Sequence, residues 1–212
     1  MDKLLNTEVE NQLKEVFSGM KSDITMVLFT SKDNCETCEP TQQLLTEVGA
    51  LSDKIKVEVK DIADTDAKKY GIERVPSFVI LNDKGEDVGV KFNGIPAGHE
   101  INSFVSAIME MGGASSELPA ELLERIAKIN KPVNIKVFVT LSCPHCPGAV
   151  QKAHKLAMLN KNVVGEMVEA QTFYELSQKF NVSGVPKIII NDSLELVGNQ
   201  PIEAFLDQIE TL

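Results

Sequence analysis

The chain has 212 residues, a formal net charge of −10 at pH 7, and proportions of apolar and charged residues that are ordinary for a globular protein. The negative charge argues against nucleic acid and anionic membrane as partners, because both repel an acidic surface. No apolar run approaches the length of a membrane span, and the N-terminal residues lack the apolar core of a signal peptide, so we expect a cytoplasmic protein.

The first half of the chain alternates helical and strand-like patterns. Apolar residues at helical spacing predict the buried face of an opening helix, namely Leu13, Val16, Phe17 and Met20. Strands are predicted at 24–30, 56–62, 77–81 and 86–92, with helices at 41–48 and 65–70 between them and a closing helix at 101–108. The turn signal at 82–85 predicts that the last two strands form a hairpin.

The second half repeats this order of elements. Cys35 and Cys143 are 108 positions apart, Pro76 and Pro186 are 110 apart, and similar offsets relate the other elements. Such small drift over half a chain indicates a duplicated domain. One βαβ unit followed by a hairpin predicts an α/β fold in each half, with a mixed central sheet flanked by helices. We place the boundary in the flexible stretch 111–117, which predicts domains at 1–113 and 114–212.

All four cysteines lie in two C-x-x-C pairs, each after a strand and before a helix: Cys35-Glu36-Thr37-Cys38 and Cys143-Pro144-His145-Cys146. The free N–H groups and the dipole of a helix N-terminus stabilise a thiolate, and a second cysteine three residues on can displace a mixed disulfide. This pattern predicts reversible disulfide chemistry. The alternatives are a zinc site, disfavoured because the two pairs are far apart in sequence, and a first pair that has lost its redox activity.

The two pairs differ in local charge. Asp33, Glu36 and Glu39 surround Cys35, and like-signed charge disfavours a thiolate, whereas no acid lies near Cys143 and an imidazolium at His145 would favour one. We therefore expect the thiol of Cys143 to have the lower pKa, and its pair to be the more oxidising and the dominant one. The remaining histidines, His99 and His154, are expected to be exposed to solvent.

Strand, C-x-x-C, helix and then Val-Pro before a hairpin resembles the thioredoxin/glutaredoxin fold. Two such units in tandem resemble the glutaredoxin-like protein disulfide oxidoreductases of thermophilic archaea and bacteria, which act like protein disulfide isomerase. The resemblance implies that Cys35 and Cys143 are nucleophiles and that Cys38 and Cys146 resolve the mixed disulfide. It also implies cis bonds before two prolines beside the sulfurs, with the preceding valines pairing with an extended substrate: Val75, Pro76, Val185 and Pro186.

One feature of classical thioredoxins is missing. They carry a buried acid six residues before the first cysteine, where this chain has Phe29 and Val137, so the group that takes the proton from the resolving cysteine is not identified by the sequence.

Two functions follow from the resemblance. The first is thiol–disulfide exchange on protein substrates, with no cofactor beyond the redox disulfides and with a thioredoxin-reductase-like flavoprotein as the source of electrons. The alternative is an electron relay to a peroxiredoxin, as in the tandem thioredoxin-fold domain of the flavoprotein that reduces one. In that family the first unit has lost its cysteines, so the presence of Cys35 and Cys38 and the lack of a flavin domain in this sequence count against it.

Overall fold

The computed structural model describes residues 2–114 and 116–212. These residues form two compact units, the first comprising 2–87, 93–95 and 107–114, and the second comprising 88–92, 96–106 and 116–212. The predicted boundary between residues 113 and 114 stays a prediction, because the stretch in which it lies includes Ser115, which is outside the described residues.

The elements of the first unit are α1 (Thr7–Phe17), β1 (Ile24–Thr30), α2 (Cys38–Gly49), β2 (Ile55–Asp61), α3 (Thr65–Lys69) and β3 (Ser77–Leu81). Three strands of the first unit pair in the order β2-β1-β3. Strand β1 is parallel to β2 and antiparallel to β3. It is apolar on both faces and almost wholly buried, as a central strand must be when helices cover both sides of the sheet.

The second unit repeats this plan. Its elements are α5 (Ala120–Ala127), β5 (Val133–Val139), α6 (Cys146–Leu159), β6 (Val163–Glu169), α7 (Tyr174–Lys179), β7 (Lys187–Ile190), β8 (Leu194–Val197) and α8 (Ile202–Ile209). Strand β5 is parallel to β6 and antiparallel to β7, and β7 and β8 form an antiparallel hairpin. The fold class predicted from the sequence is therefore confirmed.

Three further elements follow β3 and precede α5 in the sequence: β4 (Asp87–Asn93), a 3-10 helix η1 (Gly98–Glu100) and α4 (Ile101–Met111). Residues 88–92 of β4 and 96–106 group with the second unit, although they precede the repeat in sequence. This grouping brings the buried carboxyl of Glu100 into the same unit as Cys143.

The opening helix departs from its predicted pattern at one position. Leu13 and Phe17 are buried as expected, whereas Val16 is 42% exposed. Helix α1 ends at Phe17, and Met20 is buried in the turn that follows it. Within the described residues, no helix is both long enough and apolar enough to cross a membrane.

Candidate active site

The first C-x-x-C pair forms a disulfide in the turn between β1 and α2. The Cα atoms of Cys35 and Cys38 are 5.4 Å apart, and the N–H of Cys38 donates to the carbonyl of Cys35 at 3.3 Å. Cys38 is the first residue of α2 and is buried, whereas Cys35 precedes the helix and is partly exposed. Of the two cysteines, Cys35 is therefore the more accessible to a substrate.

The second pair forms a disulfide at the matching place between β5 and α6. The Cα atoms of Cys143 and Cys146 are 5.5 Å apart. Cys146 is fully buried as the first residue of α6, and Cys143 is 8% exposed in the turn that precedes the helix. In both units the helix therefore begins at the second cysteine, and α2 starts three residues before the predicted range 41–48.

The two Val-Pro pairs lie at the sulfur-bearing ends of the sheets. Both Val75–Pro76 and Val185–Pro186 are cis, as the resemblance implies. In the antiparallel pairings Phe29 is opposite Ser77 and Phe138 is opposite Lys187. Each proline directly precedes one of these paired residues, so it lies at the end of the sheet from which the chain continues to the C-x-x-C motif. Both valines are partly exposed. Their binding of a substrate backbone stays a prediction.

Charges surround the first disulfide and are nearly absent around the second. Asp33, Glu36 and Glu39 are all exposed, and Glu39 lies in the first turn of α2. The first turn of α6 has no acidic residue. His145 is exposed and occupies the N-cap position of α6 without a side-chain hydrogen bond to the helix. Its effect on the Cys143 thiol stays a prediction.

Glu100 is a buried carboxyl on a segment that is joined to the turn before Cys143. The N–H of His99 donates to the carbonyl of Leu141 at 2.9 Å, so η1 is joined to the turn that carries Cys143, and η1 also packs against α6. Burial raises the pKa of Glu100 to about 7, while a hydrogen bond from the Ser103 hydroxyl to Oε2 opposes the shift. Its Oε1 has no hydrogen-bond partner among the described residues.

The position of Glu100 depends on a close backbone approach. Gly98 has φ +57°, and a Cβ atom at this position would collide with the carbonyl oxygen of Leu141. Only glycine adopts this conformation readily and also leaves room for the neighbouring chain. The signal that could have identified Glu100 is its place two residues after this glycine, directly before the run 101–108 that predicts a helix.

His154 lies in the middle of α6 and is buried, so the prediction that it is exposed is wrong. Its ring packs at 4.7 Å from the ring of Phe92, and its Nε2 lies 3.0 Å from the carbonyl oxygen of Lys91. Burial lowers the pKa of His154 to about 4, so the ring is neutral at pH 7. Nδ1 has no hydrogen-bond partner among the described residues.

The four cysteines are paired within their own motifs, and the described residues contain no cluster of three or more His, Cys, Asp or Glu side chains arranged to hold a metal ion. Fold and sites together define a class of protein. It has two units of one α/β plan, each with a disulfide at a strand-to-helix turn and a cis-proline at the same sheet end.

Comparison with known proteins gives the family. The thioredoxin domain model matches twice, at residues 24–106 and 133–211, and the chain belongs to that family. The F subunit of alkyl hydroperoxide reductase from Staphylococcus aureus is 28% identical over 206 residues, which are 97% of this chain and 38% of that protein. The chain thus spans less than two-fifths of the length of this curated relative.

Two solved structures are similar along almost the whole chain. One is the F subunit of alkylhydroperoxide reductase from Enterococcus faecalis, with a TM-score of 0.91 and 32% identity over 98% of this chain and 100% of that one. The other is a protein disulfide oxidoreductase from Aeropyrum pernix, with a TM-score of 0.90 and 31% identity over 99% of this chain and 93% of that one. The resemblance drawn from the motifs is confirmed.

Proposed function

We propose that the chain is a thiol–disulfide oxidoreductase that exchanges electron pairs with protein substrates at two centres, and that the centre at Cys143 is dominant. The observation that carries the proposal is the repeated disulfide, with its second cysteine at the start of a helix and its first cysteine in the turn before it. The similarity to the Aeropyrum pernix protein disulfide oxidoreductase supports it. Each pair of cysteines holds an electron pair as the dithiol and releases it on forming the disulfide, so the proposed reaction needs no cofactor.

In the reductive direction, the thiolate of Cys143 attacks one sulfur of a substrate disulfide. A bond forms between Cys143 and that sulfur, the substrate S–S bond breaks, and the other substrate sulfur leaves as a thiolate. The thiolate of Cys146 then attacks the sulfur of Cys143, which re-forms the disulfide and releases the second substrate thiolate. Two electrons have passed to the substrate, and a thioredoxin-reductase-like flavoprotein is the partner we propose for returning them.

The resolving step requires that Cys146 lose its proton while buried, where burial disfavours the anion. We propose that Glu100 accepts this proton. Its segment is held against the Cys143 turn, its Oε1 is unpaired among the described residues, and a pKa of about 7 suits proton exchange at neutral pH. It would supply the acid that Phe29 and Val137 do not.

A second candidate function is an electron relay to a peroxiredoxin. The similarity to the F subunits of two alkyl hydroperoxide reductases, one of them over 98% of this chain, favours it about as strongly as the Aeropyrum pernix structure favours the first. In this function a flavoprotein reduces one of the centres, and a peroxiredoxin disulfide accepts the electron pair. The chemistry at the sulfurs is the same, and only the partner differs.

The test compares insulin reduction, reactivation of scrambled ribonuclease and reduction of a peroxiredoxin by the wild type, Cys35→Ser and Cys143→Ser. We expect Cys143→Ser to lose ~100-fold or more in protein-disulfide activity, because no other group replaces the attacking sulfur, and Cys35→Ser to lose less. Reduction of peroxiredoxin alone would support the relay. Activity that survives in a chain carrying both substitutions would overturn both candidate functions.

A further inference from the structure

The surroundings of Cys35 extend beyond its own turn. Strands β1 and β2 are parallel, and Thr30 is paired with Asp61, so the loops that follow these strands emerge at the same end of the sheet. The N–H of Ile62 donates to the carbonyl of Thr30 at 2.9 Å, which fastens the loop after β2 beside the chain that leads to Cys35. A substrate disulfide that reaches Cys35 therefore meets both loops.

Exposed carboxylates lie in both loops and at the adjoining ends of α2 and β2. We call them the acidic rim, and its members are Asp33, Glu36, Glu39, Asp61 and Asp64. Against these five acids the two loops offer one cation, Lys32, which leaves a formal charge of −4. The nearby Glu73 and Arg74 form an ion pair at 3.3 Å, and Asp66 is bound by Lys60, so neither pair alters this balance.

The matching loops around Cys143 lack such a rim. Residues 140–149 contain no acid and no Lys or Arg. The acid at the end of β6, Glu169, is 3% exposed and accepts hydrogen bonds from the N–H and the hydroxyl of Thr172 at 2.7 Å, so it is turned into the structure. The exposed residue that begins α7 is Tyr174, where α3 begins with Thr65. The acid that follows in α7, Glu175, is exposed, whereas the matching acid in α3, Asp66, is half-buried and bound by Lys60, so one exposed acid stands near the second centre against the five of the acidic rim.

We propose that the acidic rim makes the Cys35–Cys38 centre selective for disulfides flanked by positive charge, such as those next to Lys or Arg in a protein substrate, while the Cys143–Cys146 centre, where residues 140–149 can carry a charge only at His145, has no preference for positive charge. This inference rests on the proposed exchange activity and assigns a substrate class to one of its two centres. Fixed charges around a reactive group raise the local concentration of oppositely charged reactants and repel those of like charge. Anionic disulfides are disfavoured at this centre for the same reason.

The reaction at this centre is the balanced exchange already described. The Cys35 thiolate attacks the cationic disulfide, one substrate thiolate leaves, and Cys38 displaces the second while the Cys35–Cys38 disulfide re-forms. The electron pair comes from the reduced cysteines, which are regenerated by a dithiol reductant. The acidic rim also disfavours the Cys35 thiolate, but that effect is the same for every substrate, so it does not alter the ratio of rate constants for two substrates at this centre.

The experiment uses two variants of the full chain, each with one working centre: Cys143→Ser/Cys146→Ser and Cys35→Ser/Cys38→Ser. Each is reduced with dithiothreitol, freed of it, and mixed with cystamine, bis(hydroxyethyl) disulfide or dithiodiglycolate, which are doubly positive, neutral and doubly negative. The measured quantity is the ratio of second-order rate constants for cystamine and dithiodiglycolate. Dividing the ratio at the first centre by that at the second removes the intrinsic reactivities of the probes and the pKa of each thiol.

We expect this normalised ratio to be about tenfold or more at about 0.01 M salt, where the Debye length is about 30 Å, and to approach one at about 1 M, where it is about 3 Å. A normalised ratio near one at low salt, or one that salt does not reduce, overturns the proposal. Failure of every probe at both centres would overturn the proposed function as well, and is a distinct result.

A charge-matched pair of variants locates the effect. In the chain with only the first centre, Glu36→Gln/Glu39→Gln removes two rim charges and should lower the normalised ratio by roughly threefold or more. Asp23→Asn/Asp53→Asn removes two exposed charges just before the starts of β1 and β2, which are the opposite ends of these strands, and should leave the ratio unchanged. An equal fall in both variants would show that only net charge matters and would overturn the role of the acidic rim.

Discussion

The two disulfide centres occupy the same place in two copies of one fold, and their surroundings differ in burial and charge. Cys35 is partly exposed among carboxylates, while Cys143 is 8% exposed in a turn that carries no acid. Helix α6 is buried at His154, whereas the matching position in α2, Thr46, is exposed. The junction of strand and helix thus supplies the reactive sulfurs, and the residues packed around it determine what each pair of sulfurs can do.

The largest expected effect concerns His154, the buried histidine that α2 lacks. The pKa of His154 is about 4 in the folded chain and an ordinary 6.5 in the unfolded chain. Between pH 4 and 6.5 the ring is therefore protonated in the unfolded chain and neutral in the native one. Stability contributed by the neutral ring is present above pH 6.5 and is lost as the pH falls through 4, by about 3 kcal/mol in total. Glu100, whose pKa is raised to about 7, has the opposite effect: between pH 4.5 and 7 its contribution to the free energy of unfolding falls as the pH rises.

His154→Gln should therefore leave the pH dependence that Glu100 gives to the free energy of unfolding without the opposing contribution of His154. An amide donor can keep the hydrogen bond to the carbonyl of Lys91, and the free energy of unfolding should then rise as the pH is lowered from 7 to 4.5, where in the wild type the two contributions oppose each other. The measurement is the urea midpoint at several pH values. Thr46→Gln on α2 is the matched control and should leave the wild-type profile unchanged. Identical profiles for wild type and His154→Gln would contradict the assignment.

The next largest effect is expected for Glu100→Gln. It separates the two disulfide centres, because Glu100 is proposed as the proton acceptor for the Cys143–Cys146 centre only. We expect release of a substrate from its mixed disulfide with Cys143 to slow by roughly 10- to 100-fold above pH 7, because the amide cannot take a proton. The inflection near pH 7 should disappear as well. Single-turnover release in a Cys35→Ser/Cys38→Ser chain measures this. The same substitution in a Cys143→Ser/Cys146→Ser chain is the control, and equal slowing there would refute the assignment.

Gly98→Ala tests whether the contact with Leu141 is what positions Glu100. Gly85 is the matched control, since its φ of +74° is also left-handed and a Cβ there would meet nothing within 4 Å. Both substitutions should cost about 1–2 kcal/mol for the backbone conformation, and Gly98→Ala should cost about 1–2 kcal/mol more for the collision with Leu141. Unfolding midpoints give the difference. Equal losses of stability at Gly98 and Gly85 would show that the chain at Leu141 moves aside without loss of stability, and would contradict the role of this contact.

The smallest expected effect is that of His145, whose counterpart in the first motif is Thr37. His145→Thr should raise the pKa of the Cys143 thiol and lower its rate of alkylation by iodoacetamide below neutral pH by about threefold, because a positive charge beside the thiolate is lost. Thr37→His should shift Cys35 in the opposite direction. If the Cys143 pKa in the wild type already lies above that of Cys35, the graded order of the two centres is wrong.

The sequence predicted the repeated fold because its signals are local. Strand β1 is an apolar run with the motif directly after it, and three of the four residues predicted on the buried face of the opening helix are buried: Leu13, Phe17 and Met20. The apolar periodicity did not predict burial correctly where burial depends on which distant residues pack against a helix. Val16 lies at the edge of the α1 stripe and stays exposed, while His154 is covered by Phe92, a residue 62 positions away.

The part of the site that could not be predicted depends on contacts between distant segments. Glu100 precedes Cys143 by 43 positions, and nothing in its immediate sequence indicates that η1 is joined to Leu141. Its raised pKa is a property of burial, which a carboxyl in a helix-start context does not reveal. The difference in charge between the two motifs, in contrast, was visible in the sequence, and the structure adds the second loop of the acidic rim.

The confinement of all four cysteines to the two motifs makes the redox state of a single molecule countable. An oxidised chain has no thiol to label, and full reduction exposes four, so alkylation followed by intact-mass measurement should give populations with none, two or four adducts. An odd number of adducts would mark a chain caught with a partner still attached through one sulfur. The abundance of these odd-numbered species over time would report the lifetime of the covalent intermediate without any engineered trap.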